Sequence, residues 1–144
     1  MNRRLLLQAT AVAGALPFWV LAQAQNTGAA KRHKIVIQVS DGDPAKWNLA
    51  LNNAKNLQDE VGAANVDIEI VAYGPGIGML KAEAPLANRV TEATQAKVKL
   101  LACENTMRGQ KLTREDMNTA ISYVQAGVGQ IMRRQEEGWA YLRP

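Results

Sequence analysis

The sequence predicts an α/β fold of three layers, α/β/α, around a mostly parallel sheet of about five strands. Two observations predict it. Runs rich in β-branched residues alternate with segments of helical periodicity, and the connections between them are short, so that helices cover both faces of the sheet. Right-handed crossovers place successive helices where they can do so. No internal repeat or low-complexity segment interrupts the alternation.

The first strand is "HKIVIQVS", ending in the turn cluster Asp41-Gly42-Asp43-Pro44. Pro44 suits the first turn of a helix and Asp43 its cap. Trp47, Ala50, Leu51, Ala54, Leu57 and Val61 then recur at spacings of three and four, one apolar stripe that Gly62 closes. "VDIEIVAYG" is the second strand, with Val66, Ile68 and Ile70 alternating with acids. "GPGIG" follows as a loop, and a helix runs from about Pro85 to Gln95 with Leu86 and Val90 on its apolar side. "KVKLLAC" is the third strand. Thr113 and Asp116 form a capping box over a short helix. "ISYVQAG" is the fourth strand, "VGQIMRRQEEG" a helix ended by Gly138, and "WAYLRP" a fifth strand at the sheet edge.

Strands that all point one way share one carboxyl edge, and ligands bind outside it. Three segments land there: Asp41 to Asp43, Gly74 to Gly78, and Cys103 to Gly109. They hold the candidate chemistry.

Apolar residues make up 47% of the chain and charged residues 21%, the balance of a folded globular protein. The formal charge is +4; without Arg3 and Arg4, 15 basic residues face 13 acidic ones. So small and scattered an excess, with 5% aromatics, argues against nucleic acid as a partner.

Residues 1–24 read as a signal peptide. Arg3 and Arg4 precede an apolar stretch from Leu5 to Leu21, and Ala22-Gln23-Ala24 offers a small-x-small exit. The arginine pair resembles a twin-arginine signal, with the general secretory route as the alternative. Gly14, Pro17 and the exit favour cleavage over an uncleaved anchor, so no stable membrane insertion is expected after processing. The mature chain then starts near Gln25, residues 25–33 form a flexible lead-in, and residues 34–144 are the folded domain, placed in the periplasm.

An oxidising compartment favours paired cysteines, yet the chain has one, Cys103. It is buried and inert, bonded to another chain, or kept reactive. Free cysteine is a frequent core residue; against that, the chain turns polar at once with Glu104, Asn105, Thr106 and Arg108. Backbone amides and Arg108 can stabilise a thiolate there, with Glu104 acting in the opposite direction. Gly74, Gly76 and Gly78 either make a tight turn or cradle an anion; the segment has neither the lysine of a phosphate loop nor a dinucleotide spacing. Asp41 and Asp43 serve as a carboxylate pair, or Asp43 caps the helix. His33, the sole histidine, lies at the opposite edge, which argues against a cysteine–histidine pair and leaves zinc without ligands in one chain. Nothing calls for a cofactor or a metal. Trp47 and Met79, Met107, Met117 and Met132 are expected in core or interface packing.

The segments "KIVIQVSDGDPAKWNLALNNAKNL", "DIEIVAYGPGIGML", "VKLLACENTMRGQKLTREDM" and "IMRRQEEGWAYLRP" together resemble the DsrE/DsrF-like family, named for proteins of intracellular sulfur oxidation. The resemblance implies the three-layer fold, homo-oligomers such as trimers or hexamers, and a cysteine that carries sulfur as a persulfide between donor and acceptor proteins. Cys103 matches that cysteine, Asn105, Thr106 and Arg108 its surroundings, and Gly74, Gly76 and Gly78 the glycine loop facing it. An export signal departs from the cytoplasmic relays of the family, and many relatives have no assigned activity. The expectation is a sulfur-handling protein with Cys103 at work and Asp41 at the same rim. The alternative is a non-enzymatic binding or assembly module in which Cys103 is structural.

Overall fold

The computed structural model describes residues 32–144; residues 1–24, read from the sequence as a signal peptide, and residues 25–31 of the expected lead-in lie outside the described residues. Nine strands and α-helices follow in order among the described residues: β1 His33–Val39, α1 Pro44–Val61, β2 Val66–Ala72, α2 Ala87–Gln95, β3 Lys99–Cys103, α3 Glu104–Gly109, β4 Ser122–Val124, α4 Gly127–Glu136 and β5 Ala140–Leu142. All strand pairings are parallel, in the order β4-β3-β2-β1-β5. The chain therefore steps outward from β1 to β4, then crosses the whole sheet through α4 and docks β5 on the free side of β1. The α/β class and the edge position of the fifth strand are as the sequence predicts. His33 opens β1, where the strand read from the sequence also starts.

Local chemistry accounts for the elements. The Asp43 carboxylate accepts the Ala45 amide at 2.8 Å and caps α1, with Pro44 in the first turn. Gly62 ends that helix at φ +86°, where a side chain would be strained. The predicted apolar stripe is inward: Trp47, Ala50, Leu51 and Ala54 are buried, and Leu57 and Val61 pack at its margin. Thr113 and Asp116 make the predicted capping box, over a single 3₁₀ turn, Arg114–Asp116.

The two faces of the sheet are unequal. Ile37, Ile70 and Leu100 point to the side covered by α1 and α2 and form the larger core with Leu51, Ala54 and Val90. Each such side chain contributes about 1.5–3 kcal/mol relative to exposure. Val36, Val71 and Leu101 point the other way and meet Ile131 of α4 in a smaller core. By strand alternation Cys103, two residues after Leu101, faces the α4 side. Met79, Met107 and Met117 are core residues as expected, whereas Met132 is 54% exposed on the outside of α4.

Glu69 departs from the simple alternation. The sequence alternates acids with apolar residues along β2, yet the Glu69 side chain is only 2% exposed, beneath α4. Arg134 grips both carboxylate oxygens at 2.6 and 2.9 Å, and Gln130 donates at 2.8 Å. The Arg134 guanidinium also lies 4.6 Å from the centre of the Trp139 ring. Burial raises the Glu69 carboxyl, but the bonds from Arg134 and Gln130 and the charges of Arg134 and Lys99 outweigh it and hold it below the usual range. Because the folded value is depressed, this contribution is present above about pH 4.3, the unfolded carboxyl value, and is lost as pH falls through the folded one. Replacing Arg134 by Met leaves the buried charge with only Gln130 and the exposed Lys99, 3.9 Å away, so urea unfolding at pH 7 should show a loss of about 3 kcal/mol. In the parent chain the urea midpoint should hold between about pH 6 and 8 and fall below about pH 4.

Candidate site at the carboxyl edge of the sheet

Cys103 is the last residue of β3 and the N-cap of α3. The polar stretch after it is thus a helix where the sequence suggests a turn, because no glycine or proline stands between Glu104 and Arg108. Its register signal is Met107, buried in the larger core, with Glu104 in the first turn and Arg108 in the last.

The thiol is covered. Cys103 is 5% exposed, as a core residue is, but the atoms around its sulfur are polar. Its Sγ faces the Gln125 carbonyl at 3.9 Å. That carbonyl also accepts the Asn105 amide at 3.1 Å, tying the tip of β4 to α3. Burial pushes the thiol up, yet the polar groups of Thr106, Gly127 and Asn105 around the sulfur outweigh burial and hold it below the ordinary thiol value. Gly127 opens α4 and packs against Tyr73, where a Cβ would stand 3.1 Å from the ring's Cδ1. The absence of that Cβ lets α4 begin close above the sheet.

The other predicted residues divide. Asn105 and Thr106 are among the polar groups at the sulfur. Arg108 is not: its guanidinium donates to the Asn105 side chain. Glu104, expected to oppose ionisation, is engaged by Arg114 at 2.9 Å. The glycine segment is a 3₁₀ helix, Gly74–Leu80, and not an open loop. The Gly76 amide donates to the carbonyls of Ser40 at 3.2 Å and Tyr73 at 3.1 Å, so it is committed to backbone and does not serve the anion. A Cβ on Gly76 would overlap the Val39 carbonyl oxygen and stand 2.9 Å from the Ser40 nitrogen. Gly78 lies against the Trp47 ring, 3.0 Å from where its Cβ would be, and the Trp47 indole donates to the Asp41 carbonyl at 2.6 Å. Gly74 alone reaches the cysteine's surroundings, its amide donating to Thr106 Oγ1 at 3.0 Å.

Asp41 sits at the end of β1, paired with Arg143 at 3.4 Å across the junction of β1 and β5. There the strand order reverses direction, the place where open α/β sheets form a crevice. Cys103 stands two strands away at the end of β3. Asp41 and Cys103 therefore share the rim without sharing a contact. Asp43 is spent on the helix cap, so the two aspartates do not form a working pair.

A model of the DsrE/DsrF-like family matches residues 33–144. The chain belongs to the DsrE/DsrF-like family. Among solved structures, it is similar to MTH1491, a protein of unknown function from Methanobacterium thermoautotrophicum. The identity is 35% over 78% of this chain and 99% of that one, with a TM-score of 0.74. The ychN protein of E. coli (14% identity, 78% and 99% covered, TM-score 0.64) shares the fold. So does BT1422, of unknown function, from Bacteroides thetaiotaomicron (14%, 77% and 94%, 0.62). No curated protein matches.

Sequence reasoning about this DsrE/DsrF-like chain missed Gln125 and Gly127, which contribute only backbone atoms and so carry no residue-type signal. It missed Gln110 too, whose side chain donates to the Gly74 carbonyl at 3.1 Å. The space argument at Gly76 has a direct check. Gly76→Ala should lower stability by about 2 kcal/mol or more in urea unfolding, whereas Gly109→Ala, with nothing within 4 Å of the new Cβ, should be nearly neutral.

Proposed function

We propose that this protein is an exported, periplasmic sulfur carrier in which Cys103 accepts a sulfane sulfur, holds it as a persulfide and passes it on. The observation that carries the reading is the thiol itself. It is the only one in the chain, it stands at the carboxyl edge of the sheet, and the polar groups around it acidify it. Family membership supports the same chemistry.

The step is simple in balance. The Cys103 thiolate attacks the outer sulfur of a donor persulfide, R–S–SH. The donor's sulfur–sulfur bond breaks, a new one forms on Sγ, and R–S⁻ leaves as a thiolate. Atoms and charge are conserved and nothing is oxidised overall. The polar groups that favour the thiolate also favour the persulfide anion, whose charge lies one atom further out. With no second cysteine in the chain, an internal disulfide cannot discharge the load, so a donor protein and an acceptor thiol come from outside. Assembly into a trimer or hexamer belongs to the same reading and is supported by Val128 and Met132, exposed at 61% and 54% on α4.

One observation favours a second reading, a non-enzymatic assembly or ligand-binding module with a structural cysteine: Cys103 is 5% exposed. The two separate by mass spectrometry after incubation with polysulfide. Carriage gives a gain of one sulfur atom, reversible by reductant and lost in Cys103→Ser; an unmodified thiol, or only an interchain disulfide, supports the module. Export is tested on secreted material, whose amino terminus should lie near Gln25; an intact Met1 would instead mean an anchor.

A further inference from the structure

A cavity lies at the amino edge of the sheet, where β2 and β3 begin beneath the end of α4. Its volume is about 250 Å³, and Asp67, Glu69, Lys97, Lys99, Arg134 and Trp139 line it. Lys99 opens β3 and Cys103 closes it, so four residues of strand, roughly 13 Å, separate the two places. Nothing in the carrier reading uses this cavity.

Donors outnumber free acceptors among these side chains. Arg134 takes both oxygens of Glu69, at 2.6 and 2.9 Å, and Gln130 adds a bond at 2.8 Å. Asp67 is paired with Arg32 at 2.8 Å. The Lys99 ammonium stands 3.9 Å from Glu69, within reach of its charge but too far for a hydrogen bond, and its side chain is 66% exposed. Lys97 enters no ion pair among the described residues. The Trp139 indole nitrogen is buried, and its N–H finds no acceptor among the described residues. A buried donor left bare is costly and rare, and an unfilled partner site is one of its ordinary causes. Two ammonium groups and one indole therefore lack an acceptor, while both carboxylates are engaged. Lys97 also stands at φ +67° just after α2, a helix end where glycine is the usual residue. That conformation alone marks no site, since Lys111 follows α3 at φ +56°; what sets Lys97 apart is the cavity that it lines.

We propose that this cavity binds a small free oxyanion of the sulfate or phosphate class, held by the ammonium groups of Lys97 and Lys99 and by the Trp139 indole N–H. A tetrahedral oxyanion carries acceptor lone pairs on every oxygen, so one ion can answer donors that lie apart, and bonds to an ion are the stronger kind. Arg134 neutralises Glu69 at contact distance, which leaves the two lysines as the charge the ion meets. An apolar ligand would leave all three donors bare, and a cation would face both ammonium groups. Because the indole nitrogen is covered, it favours a bare ion over a bulky ester. The inference goes beyond the carrier reading and does not rest on it.

The test is a titration of the isotope-labelled chain with sodium sulfate, and separately with sodium phosphate, followed by heteronuclear NMR. Sodium chloride at equal ionic strength is the reference. The expected result is a saturable shift of the Trp139 indole N–H and of the Lys97 and Lys99 amides, absent with chloride. Saturation by either oxyanion supports the inference, and the tighter of the two names the ion. Trp139→Phe assigns the indole signal by removing it; should that variant not fold, the two lysine amides carry the reading. Lys97→Gly removes an ammonium and relieves the left-handed backbone. It should resist urea at least as well as the parent, yet bind the ion about tenfold more weakly, as for loss of one charge-assisted hydrogen bond. Lys99→Gln should weaken binding by a similar factor. Lys111→Gly makes the same backbone change away from the cavity and should leave binding unchanged. A drift that never saturates, or that chloride reproduces, overturns the inference. So does parent affinity in both Lys97→Gly and Lys99→Gln, or an equal loss in Lys111→Gly.

Discussion

The end of β1 and the segment after β2 meet backbone to backbone, and the geometry of the rim depends on that contact. The Val39 carbonyl accepts the Tyr73 amide at 3.1 Å, the Ser40 carbonyl accepts the Gly76 amide at 3.2 Å, and no side chain fits between Gly76 and Val39. Two parallel strands end at the same height and their following segments are sewn together before either diverges. From this seam Gly74 reaches α3, Trp47 closes over Gly78, and Pro75 rests against Gly42. Each of these contacts requires the glycine segment to lie flat on β1. A parallel sheet supplies a row of strand ends; the seam turns part of that row into a fixed surface behind the cysteine.

The second constraint is electrostatic and lies on the leaner side of the sheet. Three layers normally share the work of burial, but here one ten-residue helix, α4, covers the second face with a core of four buried apolar residues. A buried carboxylate on β2 and an arginine on α4 stand where further apolar contact would be expected. Such a pair is no large source of net stability, since desolvation offsets much of the attraction. It fixes position instead: Arg134 meets Glu69 through two oxygens, so α4 has one rotation and one height over the sheet. The opening residue of that helix is Gly127, whose backbone stands beside the thiol. The ion pair and the sulfur site are therefore opposite ends of one rigid element.

The fold was legible because its signals are local and redundant. Asp43 with Pro44, the stripe from Trp47 to Ala54, and Gly62 each speak for α1 separately, and the structure agrees at every one. The rim segments were legible as locations for the same reason, as strand ends follow from strand identity. What stayed hidden lies in side-chain and backbone partners across the chain. Glu69 looks like a solvent acid until α4 is laid over it, and nothing near it in sequence announces Arg134, 65 residues away. Arg108 looks like the natural partner of an anion at Cys103, but an i, i+3 contact with Asn105 is closer to hand. The polar groups around the sulfur are mostly backbone, and any residue type can supply those. The shielding of the thiol was unreadable for a related reason: its lid is built from three separate stretches of chain, α3, the tip of β4 and the start of α4.

Trp47 joins two of the rim segments, through its indole bond to Asp41 and its ring against Gly78. It is 7% exposed, and its ring rests on the segment whose other end holds Thr106. An indole so placed is a native optical gauge of that segment. Its emission colour follows the polarity and tightness of the cleft beside Gly78, so with the other tryptophans replaced by Phe the light it emits reports on that cleft from the far side of the seam.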